Sequence, residues 1–165
     1  MIKCGDLIPD ANLKIKDDKE IKTINTREYF KKQLIVIFGV PGAFTPTCSA
    51  KHLPGFLELS KDIISLGANK IICVSVNDPF VMRAWGVQNE ADGKVEMFSD
   101  VDAGFAKAMG LSEDFGPNLL VRSRRFSIII DNNKIIFFKI DDRGSFGNTS
   151  AEKILSYLKR IKSTH

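Results

Sequence analysis

The segment Pro41-Gly42-Ala43-Phe44-Thr45-Pro46-Thr47-Cys48 sets a thiol three residues after a hydroxyl, at the end of a loop punctuated by two prolines and a glycine. A thiol attacks as its thiolate, and a free Cys titrates at about 8.5, so chemistry near neutral pH needs a device that favours the anion. Two such devices are readable. A helix is expected to begin at Thr47 or Cys48, which puts the sulfur in a first turn whose unpaired N–H groups and dipole favour negative charge. Thr45 brings a hydroxyl to the same point, able to donate to the thiolate or to an incoming oxygen that takes its place. A lone Cys is most often a small apolar filler, and a Thr before a helix is as often a simple cap. The loop context, outside any apolar periodic stretch, sets Cys48 apart from filler. Pro54 has no N–H and its ring opposes the Ala50 carbonyl, so the turn that holds Cys48 is expected to be weakly tied and able to unwind.

Arg122, Arg124 and Arg125 fall within four residues with no acid among them, a local excess suited to an anionic substrate or a thiolate. On a strand Arg124 and Arg125 point to opposite faces, so only one of them reaches a given site. His52, at i+4 from Cys48 on the same helix face, is expected to hydrogen-bond beside the site rather than to transfer protons. Three Cys and two His offer no recognised zinc spacing, and neither a metal nor a cofactor is expected. Cys73, inside Ile71-Ile72-Cys73-Val74, reads as core, and Cys4 as incidental. No Cys-x-x-Cys pair occurs, which argues against a dithiol oxidoreductase.

These residues need a rigid frame. Leu34 to Val40 is a continuous apolar, β-branched run ended by Pro41-Gly42, the mark of a central strand buried on both faces. Leu53, Phe56, Leu57, Ile63 and Ile64 recur at helical spacing, and Gly67 closes that helix. Strands are predicted over Lys70 to Val76 and Val95 to Ser99, and helices over Pro79 to Val87 and Phe105 to Met109. Phe126 to Ile130 and Ile135 to Ile140, joined by Asp131-Asn132-Asn133-Lys134, read as a hairpin, followed by an amphipathic helix from Ala151 to Ile161. The pattern predicts an α/β chain of thioredoxin-like fold, a central mixed β-sheet flanked by helices, as a single domain over 1–165. The active loop would then leave the carboxyl end of the central strand, where such folds bind ligands.

With 165 residues, 44% hydrophobic and 27% charged, the chain can build its own core and is not disordered. The net charge of +4 is spread among interleaved acids, so nucleic acid is not an expected partner, and no run reaches membrane-spanning length. The few cysteines point to a reducing compartment. A cytoplasmic location is expected, or an organelle if a targeting segment has been removed.

Pro41-x-x-x-Thr45-x-x-Cys48 resembles the active-site signature of peroxiredoxins. The likeness extends through His52-Leu53-Pro54-Gly55-Phe56, Val74-Ser75-Val76-Asn77-Asp78 and Arg125-Phe126-Ser127, and is to the atypical type-II class, also called peroxiredoxin five. The resemblance implies a peroxidase acting on hydrogen peroxide and organic hydroperoxides. It makes Cys48 the attacking thiol, Thr45 the peroxide-positioning hydroxyl, Arg125 the polarising guanidinium and Pro41 the shield from water. Many members of the class carry a resolving Cys before the last helix. Asn148 stands there, so a one-Cys cycle is expected in which glutathione with glutaredoxin, or thioredoxin, attacks the sulfenic acid. Lys51, Arg122 and Arg124 are the candidates for holding the glutathione carboxylates. A competing reading is a peroxide sensor or holdase that binds partner proteins when oxidised. Phe44, Phe80, Trp85 and Phe115 lie in or near loops and suggest a homodimer through the active-site end.

Overall fold

The computed structural model describes residues 1–163; Thr164 and His165, at the end of the span expected as one domain, lie outside the described residues. Three parallel strands make the centre of the sheet: β3 (Leu34–Gly39), β4 (Lys70–Ser75) and β5 (Glu96–Ser99). β1 (Asn12–Lys16) and β2 (Ile21–Asn25) add an antiparallel edge beside β5, while β8 (Arg125–Asp131) and β9 (Lys134–Asp141) add the hairpin beside β3. The order is β2-β1-β5-β4-β3-β8-β9, a mixed sheet of seven strands. A separate two-stranded ribbon pairs β6 (Ser112–Asp114) with β7 (Val121–Ser123).

Alternation along β3 divides its side chains between two cores. Val36 and Phe38 face a core shared with α2 (Leu53–Glu58), α3 (Ser60–Ser65), α4 (Pro79–Gln88) and α6 (Ala151–Ser163), through Leu53, Phe56, Ile63, Trp85, Ile154 and Leu158. Ile35 and Ile37 face the other core, closed by Phe30 of α1 (Thr26–Phe30) and by Phe105 and Met109 of α5 (Gly104–Met109). Each fully buried side chain of this size contributes about 1.5–3 kcal/mol by leaving water, which ties the sheet to both helix layers.

The expected thioredoxin-like layout holds, and three differences are instructive. The helix expected from Cys48 to Gly67 is broken into a π-helical turn (Cys48–His52), α2 and α3. In that turn the Leu53 N–H reaches back to the Cys48 carbonyl, one residue further than in an α-helix. Pro54 then stands in the first turn of α2, where its fixed φ suits a helix start and it gives no N–H to the turn before. Trp85, expected near an interface, is 1% exposed and donates from Nε1 to Ser49 Oγ at 3.2 Å. The short elements β2, α1, β6 and β7 carry too weak a periodicity to be read from sequence.

Candidate functional site

The loop after β3 is held open-mouthed at the carboxyl end of the sheet. Ala43 N–H donates to Asn77 Oδ1 at 2.8 Å, which also accepts from Ser75 Oγ at 2.6 Å, while Ser99 Oγ donates to the Asn77 carbonyl at 2.6 Å. Phe44 adopts φ +63 and stays 49% exposed, a left-handed conformation that a bulky residue takes only where its surroundings enforce it. From this loop the chain enters the turn of Cys48, whose side chain is 1% exposed and packs into the same core as Phe38 and Cys73.

Arg125, the first residue of β8, is 8% exposed and splits its guanidinium between two partners. Nη2 donates to Cys48 Sγ at 3.1 Å and Nη1 to His52 Nδ1 at 2.9 Å, with the guanidinium carbon 5.9 Å from the centre of the Phe146 ring. Because guanidinium can only donate, His52 Nδ1 must be the bare nitrogen, and its Nε2–H donates to the Thr149 carbonyl at 3.0 Å. Burial, reinforced by the Arg125 charge, pushes the His52 pKa down to about 3. The imidazole is therefore neutral over the physiological range.

Of the two adjacent arginines, the strand parity selects Arg125: Arg124 turns outward to Asp142, 3.1 Å away. Arg122 donates from Nη1 to the Pro41 carbonyl at 3.0 Å and from Nε to the Leu119 carbonyl at 2.9 Å. It lies so close over the loop that a Cβ on Gly42 would come within 2.5 Å of its Nη1. The Thr45 hydroxyl donates to the Gly42 carbonyl at 2.6 Å and not to the sulfur. Pro41 is half-buried and lines, with Thr47, Arg124 and Arg125, a cleft of ≈ 60 Å³. Lys51 is exposed on the turn that carries Cys48. Cys73, in the central parallel strand β4, is fully buried, and burial followed by the proximity of Cys48 raises its thiol well above the ordinary range. No disulfide links Cys4, Cys48 and Cys73.

Two contributors escaped the sequence reading. Asp141, at the end of β9, bonds Thr149, which in turn bonds His52, and nothing in their local sequence marks either residue. A larger cavity of ≈ 400 Å³ at the amino ends of β4 and β5, lined by Lys70, Arg83 and Glu96, contains no cysteine. No group of three or more metal-ligating side chains occurs among the described residues.

Residues 3–155 match the Redoxin family. The chain is 39% identical over 159 residues to peroxiredoxin-2B of Arabidopsis thaliana, covering 95% of this chain and 98% of that one. It is 41% identical over 163 residues to the chloroplastic peroxiredoxin-2E-2 of Oryza sativa subsp. japonica, covering 95% and 72%. The crystal structure of reduced Prx3 in complex with H2O2 from Vibrio vulnificus superposes with a TM-score of 0.93 at 39% identity, covering 96% of this chain and 99% of that one. A family match over nearly the whole length, joined to relatives of this similarity, establishes that the chain belongs to the peroxiredoxins, the thiol-dependent peroxidases of the Redoxin family.

Proposed function

We propose that Cys48 is the thiol that attacks the hydroperoxide, assisted by Arg125, Thr45 and Pro41. The observation that carries this reading is the 3.1 Å contact between Arg125 Nη2 and Cys48 Sγ in a nearly closed site. A permanent cation there favours negative charge on sulfur, and then on the oxygen that leaves. The Sγ–O bond forms as the O–O bond breaks; sulfur is oxidised to sulfenic acid, and the leaving oxygen takes a proton to become water or an alcohol. With its proton engaged by Gly42, Thr45 offers lone pairs, so its role is to accept the peroxide O–H. Pro41, which lines the cleft beside Arg125, is assigned the role of shielding the sulfur from bulk water.

The cycle closes, in this reading, by an external thiol. Its sulfur attacks the sulfenic acid to give a mixed disulfide and water, and a second thiol releases Cys48. The buried, hard-to-ionise Cys73 is a poor resolving partner, and Asn148 offers no thiol. Glutathione with glutaredoxin fits best and thioredoxin second; Lys51 and Arg124 remain candidate contacts for its carboxylates, whereas Arg122 is already committed to the loop. Exposed Phe44 and Phe80, at 49% and 62%, support a homodimer through this end, which light scattering of Phe44→Ser against wild type would test as a loss of dimer mass. The location proposed is cytoplasmic, or an organelle; among the described residues no helix is long and apolar enough to cross a membrane.

Cys48→Ser is expected to abolish peroxide consumption, and turnover within tenfold of wild type would refute the assignment. A Cys4→Ser, Cys73→Ala double variant is expected to keep turnover with glutathione and glutaredoxin. A Cys48–Cys73 disulfide in peroxide-treated wild type, together with lost turnover in Cys73→Ala, would overturn the one-Cys cycle.

A further inference from the structure

We propose that Asp141 is a positioning residue for Arg125, acting through the Thr149 carbonyl and the His52 ring. The inference rests on the assignment of Cys48 and Arg125 above. Asp141 and Arg125 are direct cross-strand partners in the β8–β9 register, yet among the described residues they form no ion pair. The carboxylate, 4% exposed, instead gathers the loop before α6. Oδ2 accepts from Thr149 Oγ1 at 2.7 Å, Thr149 N at 3.1 Å and Gly147 N at 3.3 Å, and Oδ1 accepts from Asn148 N at 3.0 Å. Burial alone would raise this carboxyl, but the four hydrogen bonds outweigh it and hold it lowered.

The loop so held presents the Thr149 carbonyl inward, where it accepts from Ser127 Oγ and from His52 Nε2. That second bond fixes the tautomer with Nδ1 bare, the only form able to accept from Arg125 Nη1. With one arm anchored, the planar guanidinium is oriented so that the other meets Sγ. The charged groups acting on His52 are Arg125 from β8 and Asp141 from β9; Cys48, on its own turn, meets the other arm of Arg125, and Cys73 on β4 is near the sulfur. His52 stays neutral among them, so the chain is a fixed brace rather than a titrating switch.

A purely structural Asp141 would staple the loop and do nothing more. Single-turnover oxidation of the full-length protein by hydrogen peroxide, followed by reduction with dithiothreitol, separates the two roles. Asp141→Asn and His52→Phe are each expected to slow oxidation about tenfold, the order of a mispositioned catalytic group. Reduction should change less than twofold, and the double variant should be no slower than His52→Phe, because both act on one path. In ¹⁵N NMR, wild-type His52 should show a single Nε2–H tautomer that becomes mixed in folded Asp141→Asn. Should Asp141→Asn fail to fold, Thr149→Val, which removes only the 2.7 Å bond, should slow oxidation in the same direction, about threefold. Oxidation within twofold of wild type in the folded variant, or losses that multiply in the double variant, would overturn the proposal. Residual turnover in Cys48→Ser would instead overturn the assignment beneath it.

Discussion

Arg125 does two things that a point charge cannot, since one plane of N–H groups must meet both an imidazole and a sulfur. Arg125→Lys keeps the charge but has no fork, and the expected cost is about a hundredfold in kcat/KM for peroxide, the scale of losing one aimed donor at a developing anion. Arg124→Lys, on the outer face beside Asp142, should stay within twofold. Stopped-flow oxidation of both variants decides, and the reverse order would mean that the wrong neighbour has been assigned.

At the scale of the element, the π-helical turn and Pro54 act together. The widened turn ties Leu53 back to Cys48, while Pro54 gives no N–H to the carbonyls that precede it. The turn is further held from outside by Trp85 on Ser49 and by His52 on Thr149. If recycling requires this turn to open and expose the sulfenic acid, as proposed, strengthening it should delay recycling. Pro54→Ala restores a donor and is expected to slow reduction by thiol severalfold and to raise the sulfinic fraction at excess peroxide, read by intact-mass spectrometry. An unchanged sulfinic fraction would show that the turn does not limit recycling. The neighbouring loop depends on Arg122: Arg122→Ala leaves the Pro41 and Leu119 carbonyls without that donor, and a loss of about 1–3 kcal/mol in urea unfolding is expected.

Across the whole molecule, the buried His52 links stability to pH. Folded, it stays neutral down to about pH 3; unfolded, it takes a proton near 6.5, so below 6.5 the unfolded state binds the extra proton. Stability from this group is therefore full above pH 6.5 and falls by about 1.4 kcal/mol per pH unit from there toward 3. Urea unfolding of wild type and His52→Phe at pH 7.5, 6 and 5 should give a difference that shrinks as pH falls. Parallel pH dependences would show that His52 does not carry this linkage.

The sequence by itself determined the features that short periods encode. The apolar run of β3, the hairpin of β8 and β9 and the parity separating Arg124 from Arg125 are local patterns and stand where expected, while the helical spacing after Cys48 placed helix there but not its break into a π-helical turn, α2 and α3. The spacing of Thr45 and Cys48 belongs with them. What only the tertiary structure decided is who meets whom across 77 residues from Cys48 to Arg125, 81 from Pro41 to Arg122 and 97 from His52 to Thr149. The charge of Arg122 is visible in sequence, but its bonds to the Pro41 and Leu119 carbonyls are not. Asp141 and Thr149 were passed over because their importance comes from sheet register, which sets Arg125 opposite Asp141, and register is fixed by the burial of two cores rather than by any local motif.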